Sequence, residues 1–116
     1  MPPATTVRFA TPADAATIVE FVRGLAVFER EPPERVRLTE ADVRRDGFGA
    51  GRVFETLIVE RDGRAVGFAL FFPHYSTWEG SAGLYVEDLF VTEEARGTGA
   101  GRALLAALAR VARDRG

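Results

Sequence analysis

The sequence predicts a single α/β domain of the α+β kind, with a sheet flanked by helices and elements in the order strand, helix, helix, strand, strand, strand, helix. Three observations carry that expectation. Runs rich in aromatic and β-branched residues at 54–60, 65–73 and 83–91 have the length and composition of strands. Two of them flank Arg61-Asp62-Gly63-Arg64, where Asp-Gly signals a tight hairpin turn and therefore antiparallel pairing. Two further stretches carry apolar residues at helical rather than strand spacing.

The first strand is expected at residues 6–10. Thr11-Pro12-Ala13-Asp14 then reads as a helix start, with Thr11 as cap, Pro12 at the first position and Asp14 reaching back. Ile18, Phe21, Val22, Leu25 and Phe28 form the buried stripe of that helix. Residues 29–37 are polar, contain Pro32-Pro33 and form a loop. A second capping pattern, Thr39-Glu40-Ala41-Asp42, opens a short helix that closes near Gly47 or Gly49. After the two hairpin strands, residues 74–81 are expected as an aromatic loop. The third long strand then runs into a glycine-rich turn, and a helix over 103–113 buries Leu104, Leu105, Leu108 and Val111.

Composition excludes several classes of function. At 116 residues, 47% of them apolar, the chain has the size of one domain with a modest core. No apolar run is long enough to span a bilayer, and residues 1–6 lack the charged and apolar regions of a signal peptide. Without cysteine there is no disulfide, thiolate catalysis or cysteine metal site. His74 is the single histidine, so a metal site is not expected. All 15 basic residues are arginine, which leaves no lysine nucleophile. A net charge of −2 argues against general nucleic-acid binding. A weakly acidic chain with one local basic cradle suits an anionic cofactor and a cationic second substrate.

That cradle is Arg96-Gly97-Thr98-Gly99-Ala100-Gly101-Arg102, which joins an apolar strand directly to a helix. Glycines let backbone N–H groups approach a bound group, and the helix start offers N–H groups without partners together with a partial positive charge. The combination fits a pyrophosphate, reinforced by Arg96 and Arg102. Its spacing is Arg-x-x-Gly-x-Gly. A P-loop would need Lys and Ser/Thr where Arg102-Ala103 stands, and a dinucleotide loop would need glycine at position 102.

Within the preceding strand, Glu87 and Asp88 interrupt an otherwise apolar run, where charge is costly unless it is paired or used. Neighbours in a strand point to opposite faces, so the two serve one site only if a bulge turns them.

Arg-x-x-Gly-x-Gly after an apolar strand resembles the acyl-CoA pyrophosphate loop of the GNAT N-acetyltransferases. Further blocks are similar to the diamine/polyamine (spermidine/spermine) and thialysine branch of that family: Val7-Arg8, Ala10-Thr11 and Ala13-Asp14; Leu38-Thr39-Glu40 and Asp42; Asp46 through Gly49; Val66 through Ala69; and Leu84 through Val91. The resemblance implies a mixed, mostly antiparallel sheet. It also implies transfer of an acetyl group from acetyl-CoA to a primary amine of a small cationic substrate, in a cytoplasmic homodimer that needs no metal, nucleic acid or membrane. It places the CoA pantetheine on the backbone of Leu89, Phe90 and Val91, and the pyrophosphate on Arg96, Gly97, Thr98, Gly99, Ala100, Gly101 and Arg102. Glu87 becomes the catalytic acid that draws the amine proton through water. Phe28, Glu29, Trp78, Glu87 and Asp88 become the substrate surface. Where polyamine enzymes carry Asp, this chain has Ser76, a departure that disfavours long polyamines; where they carry Tyr it has Phe28, which weakens the case for Phe28 as a substrate contact.

The family pattern continues beyond position 116 with further strands and a helix bearing a catalytic Tyr, so the resemblance implies that residues 1–116 are the N-terminal two-thirds of the fold and a fragment of an enzyme. Two readings stay open at this point. One is an active N-acetyltransferase; the other is an acyl-CoA-binding or interaction domain without turnover.

Overall fold

The computed structural model describes residues 4–116. Strand β1 (Thr5–Phe9) leads through a 3-10 turn at Pro12–Asp14 into helix α1 (Ala15–Phe28), and helix α2 (Glu40–Asp46) follows. Strands β2 (Glu55–Arg61), β3 (Arg64–Ser76) and β4 (Ser81–Val91) then lead into helix α3 (Ala100–Arg115). The order is the one the sequence predicts. The sheet order is β1-β2-β3-β4, and each neighbouring pair is antiparallel.

Both capping patterns shape the chain locally. Thr39 Oγ1 accepts from the Asp42 N–H at 3.1 Å while the Thr39 N–H donates to Asp42 Oδ2 at 3.0 Å, closing a reciprocal box at the start of α2. At the first pattern the Thr11 N–H donates to Asp14 Oδ2 at 2.7 Å, and Asp14 also holds the Arg8 guanidinium through two bonds of 2.8 and 2.9 Å. The cap therefore ties β1 to the entry of α1. Between β2 and β3, Asp62 and Gly63 have φ of 53° and 77°, the left-handed pair that a two-residue hairpin turn requires.

Two boundaries differ from expectation. Residues 74–76 and 81 are strand rather than loop, because the ladder continues through His74↔Gly83, Tyr75↔Ala82 and Ser76↔Ser81 and leaves only 77–80 for the turn. Helix α3 begins at Ala100 rather than 103, because Gly99 adopts φ 92° and lets the chain turn directly into the helix.

The sheet is covered on both faces, which is why β2 and β3 read as unbroken apolar runs rather than alternating ones. On one face Ile18 and Phe21 of α1 and Val43 of α2 pack on Ile58, Phe68 and Leu70. On the other, Leu104, Ala107 and Leu108 of α3 pack on Leu57, Val59, Ala69 and Phe71. Each such large side chain contributes about 1.5–3 kcal/mol by leaving water. Leu105, expected in the core, is 57% exposed because it sits roughly 100° around the helix from Leu104. Phe28 is 61% exposed and does not continue the α1 stripe into the core.

Two outcomes test this packing. A Cβ at Gly67 would lie 2.5 Å from the backbone oxygen of Phe90 on β4, an atom that cannot yield without parting the strands. Gly67→Ala is expected to lower unfolding free energy by about 1–3 kcal/mol, read from denaturant midpoints, while Gly83→Ala, which meets nothing within 4 Å, stays near neutral. The second concerns Asp14, whose carboxyl is held below the ordinary carboxylate range first by its hydrogen bond from Arg8 and then by the Thr11 backbone. A depressed folded pKa gives stability that is present above the unfolded value and is lost as pH falls through the folded one. Asp14→Asn should therefore be less stable than the parent near pH 7, with the gap closing as the parent is titrated below about pH 3.

Candidate functional site

Glu87 is an extra residue in β4. Leu70 pairs with Asp88 and Phe71 with Val86, so Glu87 has no partner on β3 and forms a β-bulge. From Asp88 onward the faces follow from the register. Phe90 lies opposite Phe68, and Asp88 opposite Leu70, on the face covered by α1. The bulge breaks the strict alternation of faces at these two adjacent acids.

Helix α1 delivers the third acid. It ends in a Schellman turn: the Glu31 N–H donates to Ala26 O at 2.8 Å and the Arg30 N–H to Val27 O at 3.0 Å, with Arg30 in the left-handed region at φ 61°. Glycine is usual at that position, and here arginine takes it, so the helix stops where the sequence places the loop. Glu29 caps the helix and comes near enough to Asp88 to act on its charge. Asp88 is half-buried, and its carboxyl is pushed above the ordinary range first by burial, then by the negative charges of Glu87 and Glu29. The partial negative charge at the end of α1 adds to this field. An ammonium group is the ligand that relieves such a cluster.

One glycine sets how closely α1 and β4 approach. A Cβ at Gly24 would lie 2.9 Å from the tip of the Phe90 ring, so any larger residue would push aside that ring, which also packs on Phe21 at 5.9 Å between centroids. Sequence reading passed over Gly24 because a lone glycine in a helical stretch carries no periodic signal. Arg96 closes the same corner. Its guanidinium stands 4.6 Å from the centre of the Phe28 ring and 5.7 Å from that of Phe90, and its Nε–H donates to Val91 O at 3.1 Å. The side chain thus turns toward α1, not into the glycine loop.

The loop itself is open. Gly97 and Gly99 have φ of 79° and 92°, a conformation that L side chains resist. The Thr98 N–H and hydroxyl turn back to Ala95 O, and the Ala103 N–H closes the first helical turn on Gly99 O at 2.9 Å. That leaves the N–H groups of Gly97, Gly99, Ala100, Gly101 and Arg102 without backbone acceptors among the described residues. Arg102 is exposed on this first turn.

The outer edge of β4 runs up to the loop. The Thr92 N–H donates inward to Val66 O at 2.8 Å. Alternation then turns the N–H and C=O of Phe90 inward to β3 and those of Leu89 and Val91 out to the free edge. Of the three residues expected to line the pantetheine, Leu89 and Val91 turn their backbone groups to the free edge, while Phe90 turns its own to β3 and packs its ring under α1. Trp78 stands apart from all of these. It is 98% exposed in the turn at the tip of the β3–β4 hairpin. From Ser81 to Glu87 the strand covers about 20 Å at ~3.3 Å per residue, too far for Trp78 to touch a small molecule held at Glu87 of the same chain.

No helix of the described residues is long and apolar enough to cross a membrane, and no cluster of three or more His, Cys, Asp or Glu side chains able to hold a metal occurs among them.

Comparison with known proteins fits this geometry. A family model described as "Acetyltransferase (GNAT) family" matches residues 19–116. A thialysine N-epsilon-acetyltransferase of Sus scrofa is 34% identical over 118 residues, covering 95% of this chain and 68% of that protein. A spermidine/spermine N(1)-acetyltransferase-like protein of Homo sapiens is 34% identical over 113 residues, 91% of this chain and 16% of its own length. In fold, the structure is similar to a crystal structure of an aminoglycoside acetyltransferase from an uncultured soil metagenomic sample, with TM-score 0.76 and 23% identity over 97% of this chain and 74% of the other.

The raised carboxyl of Asp88 yields a stability test. A group whose folded pKa lies above its unfolded value opposes folding once both states are ionised, and that cost disappears as pH falls below the unfolded pKa. Asp88→Asn is expected to gain more stability over the parent near pH 7 than near pH 3, measured by urea unfolding at the two pH values. An equal difference at both would assign Asp88 no electrostatic strain.

Proposed function

The chain belongs to the acetyltransferase (GNAT) family, and from that premise we propose that it moves an acetyl group from acetyl-CoA to a primary amine of a small cationic substrate. The observation that carries this reading is the half-buried Asp88, set by the β4 bulge at the strand end that enters the glycine loop and acted on by the negative charges of Glu87 and Glu29. The relatives named for thialysine and spermidine/spermine support an amine of that kind.

The residues present fit acetyl-CoA. Left-handed Gly97 and Gly99 and the unpaired N–H groups from Gly97 to Arg102 suit a pyrophosphate, with the Arg102 guanidinium at the same turn. The outward N–H and C=O of Leu89 and the N–H of Val91 suit an extended amide chain laid along the strand, the Val91 C=O being held by the Arg96 Nε–H. Acetyl-CoA supplies the acetyl group as a thioester; the protein supplies position and proton management. Asp88 and Glu29 hold the ammonium form, the half-buried Asp88 binding it more strongly than the exposed Glu29 does. Glu87, exposed on the bulge, takes the proton through water as the amine becomes nucleophilic, and passes it to solvent.

A homodimer belongs to the same reading. Beyond β2 the β3–β4 hairpin extends as an arm with Tyr75, Trp78 and Tyr85 exposed, an apolar surface suited to a second copy. On such an assembly Trp78 would reach an amine only across the interface.

Release of free thiol from acetyl-CoA tests the activity without background, since the chain has no cysteine. With the preferred amine, Glu87→Gln should lower kcat by about 100-fold or more and leave CoA affinity within twofold. A loss of CoA affinity by the same factor as kcat would make Glu87 structural and favour an acyl-CoA-binding module.

A further inference from the structure

Helix α1 is anchored firmly at its start and lightly at its end. Its buried residues, Ala15, Ile18, Val19 and Phe21, all precede Val22. The last turn, residues 25–28, holds no fully buried side chain, and Val27 and Phe28 are 59% and 61% exposed. The seat of Gly24 on Phe90 sets the direction of that turn but does not keep it from fraying. Yet this turn carries Glu29, whose charge acts on Asp88. Its position matters to the site, so what holds it matters too.

Arg96 is the group placed to hold it. Its Nε–H donates to Val91 O at 3.1 Å, which anchors the guanidinium to the end of β4. From there the guanidinium stands 4.6 Å from the centre of the Phe28 ring and 5.7 Å from that of Phe90. One ring is the last residue of α1 and the other belongs to β4, so a single cation brackets helix end and strand. No carboxylate pairs with Arg96 among the described residues, and its charge is left for the rings. A cation beside the last residue of α1 also stands at the negative end of the helix dipole. Glu29 is bonded to Phe28, so fixing the ring fixes the backbone that carries the Glu29 carboxylate. An aliphatic side chain at position 28 would offer the guanidinium no π face.

We propose that Arg96 is a positioning residue for the amine: seated on Phe28, it holds the end of α1 against β4 and so sets where Glu29 meets the ammonium group. This deepens the amine-acetylation reading and rests on it. The first residue of the glycine loop thereby serves the second substrate through its side chain, while the loop N–H groups that suit a pyrophosphate come from the backbone of residues 97–102.

Hydrogen exchange reads the bracket directly. The N–H groups of Glu29, Arg30 and Glu31 close the end of α1 on the carbonyls of Leu25, Val27 and Ala26. Phe28→Leu and Arg96→Gln should each speed exchange at these three amides about three- to fivefold, the loss of one exposed cation–π contact, while the β3 amides keep their protection. Calorimetric titration of the full chain with lysine, putrescine and spermidine should show the tightest of the three weakened by a similar factor in each variant, with the CoA affinity of Phe28→Leu within twofold of the parent. The double variant should bind that amine no more weakly than either single one, since both remove the same contact. Phe28→Tyr, which keeps a ring, should bind as the parent does. Unchanged exchange at the three amides overturns the proposal, and so does additive weakening in the double variant. Faster exchange with amine affinity intact also overturns it, because the bracket would then serve the helix and not the amine. A parent that binds none of the three amines sinks the amine-acetylation reading instead, and exchange then still decides whether Arg96 holds the helix.

Discussion

Glu87 is one residue too many for the strand that β4 pairs with, and the site depends on how the sheet absorbs it. Between Val86 and Asp88 the ladder skips a residue. Without the bulge, the alternation of faces below it would be reversed, and Phe90 and Asp88 would both turn toward α3. With it, Phe90 enters the core under α1 and Asp88 faces the end of that helix. A single insertion thus couples core packing to the placement of charge, because a strand has a two-residue period and any odd step moves every following side chain to the other face.

Helix α1 converts that register into a site. Gly24 admits the Phe90 ring at van der Waals range, and Phe21 packs on Phe90 and Phe68. The helix is seated at its middle by aromatic contact and stopped at its end by the left-handed Arg30. Phe28 and Glu29 are its last turn and cap, so their position follows from packing a full turn away. An exposed Phe28 is explained on the same terms: its ring is a seat for the Arg96 guanidinium rather than a part of the core.

Two fields of opposite sign stand side by side at the open edge of β4. One is made of carboxylates, of which the half-buried Asp88 bears the desolvation. The other is made of main-chain N–H groups in the glycine loop and the first turn of α3. The fields use different parts of the chain, side chains for one and backbone for the other, so each can be built without cancelling the other. An anionic cosubstrate and an ammonium-bearing one are drawn to adjacent places by the same strand end, which is the arrangement that a transfer between them requires.

Much of this was legible in the sequence. Asp62-Gly63 announced the hairpin, the two Thr-x-x-Asp caps announced helix starts, and the spacing of Arg96, Gly99 and Gly101 announced the cradle, since turns, caps and glycine-dependent backbone are decided by residues a few positions apart. Glu87 and Asp88 were recognisable as costly charges in an apolar strand. What the chain alone left undecided was whether those two share a face, where Phe90 points, why position 24 is glycine and which way Arg96 turns. Those depend on residues remote in sequence: Gly24 beside Phe90, the charge of Glu29 acting on Asp88, Arg96 against Phe28. Local chemistry determined the elements and their candidate groups. Only the tertiary structure decided which groups meet, because the register of β4 on β3 and the seating of α1 on β4 are set by packing across the sheet, which no short stretch of sequence contains.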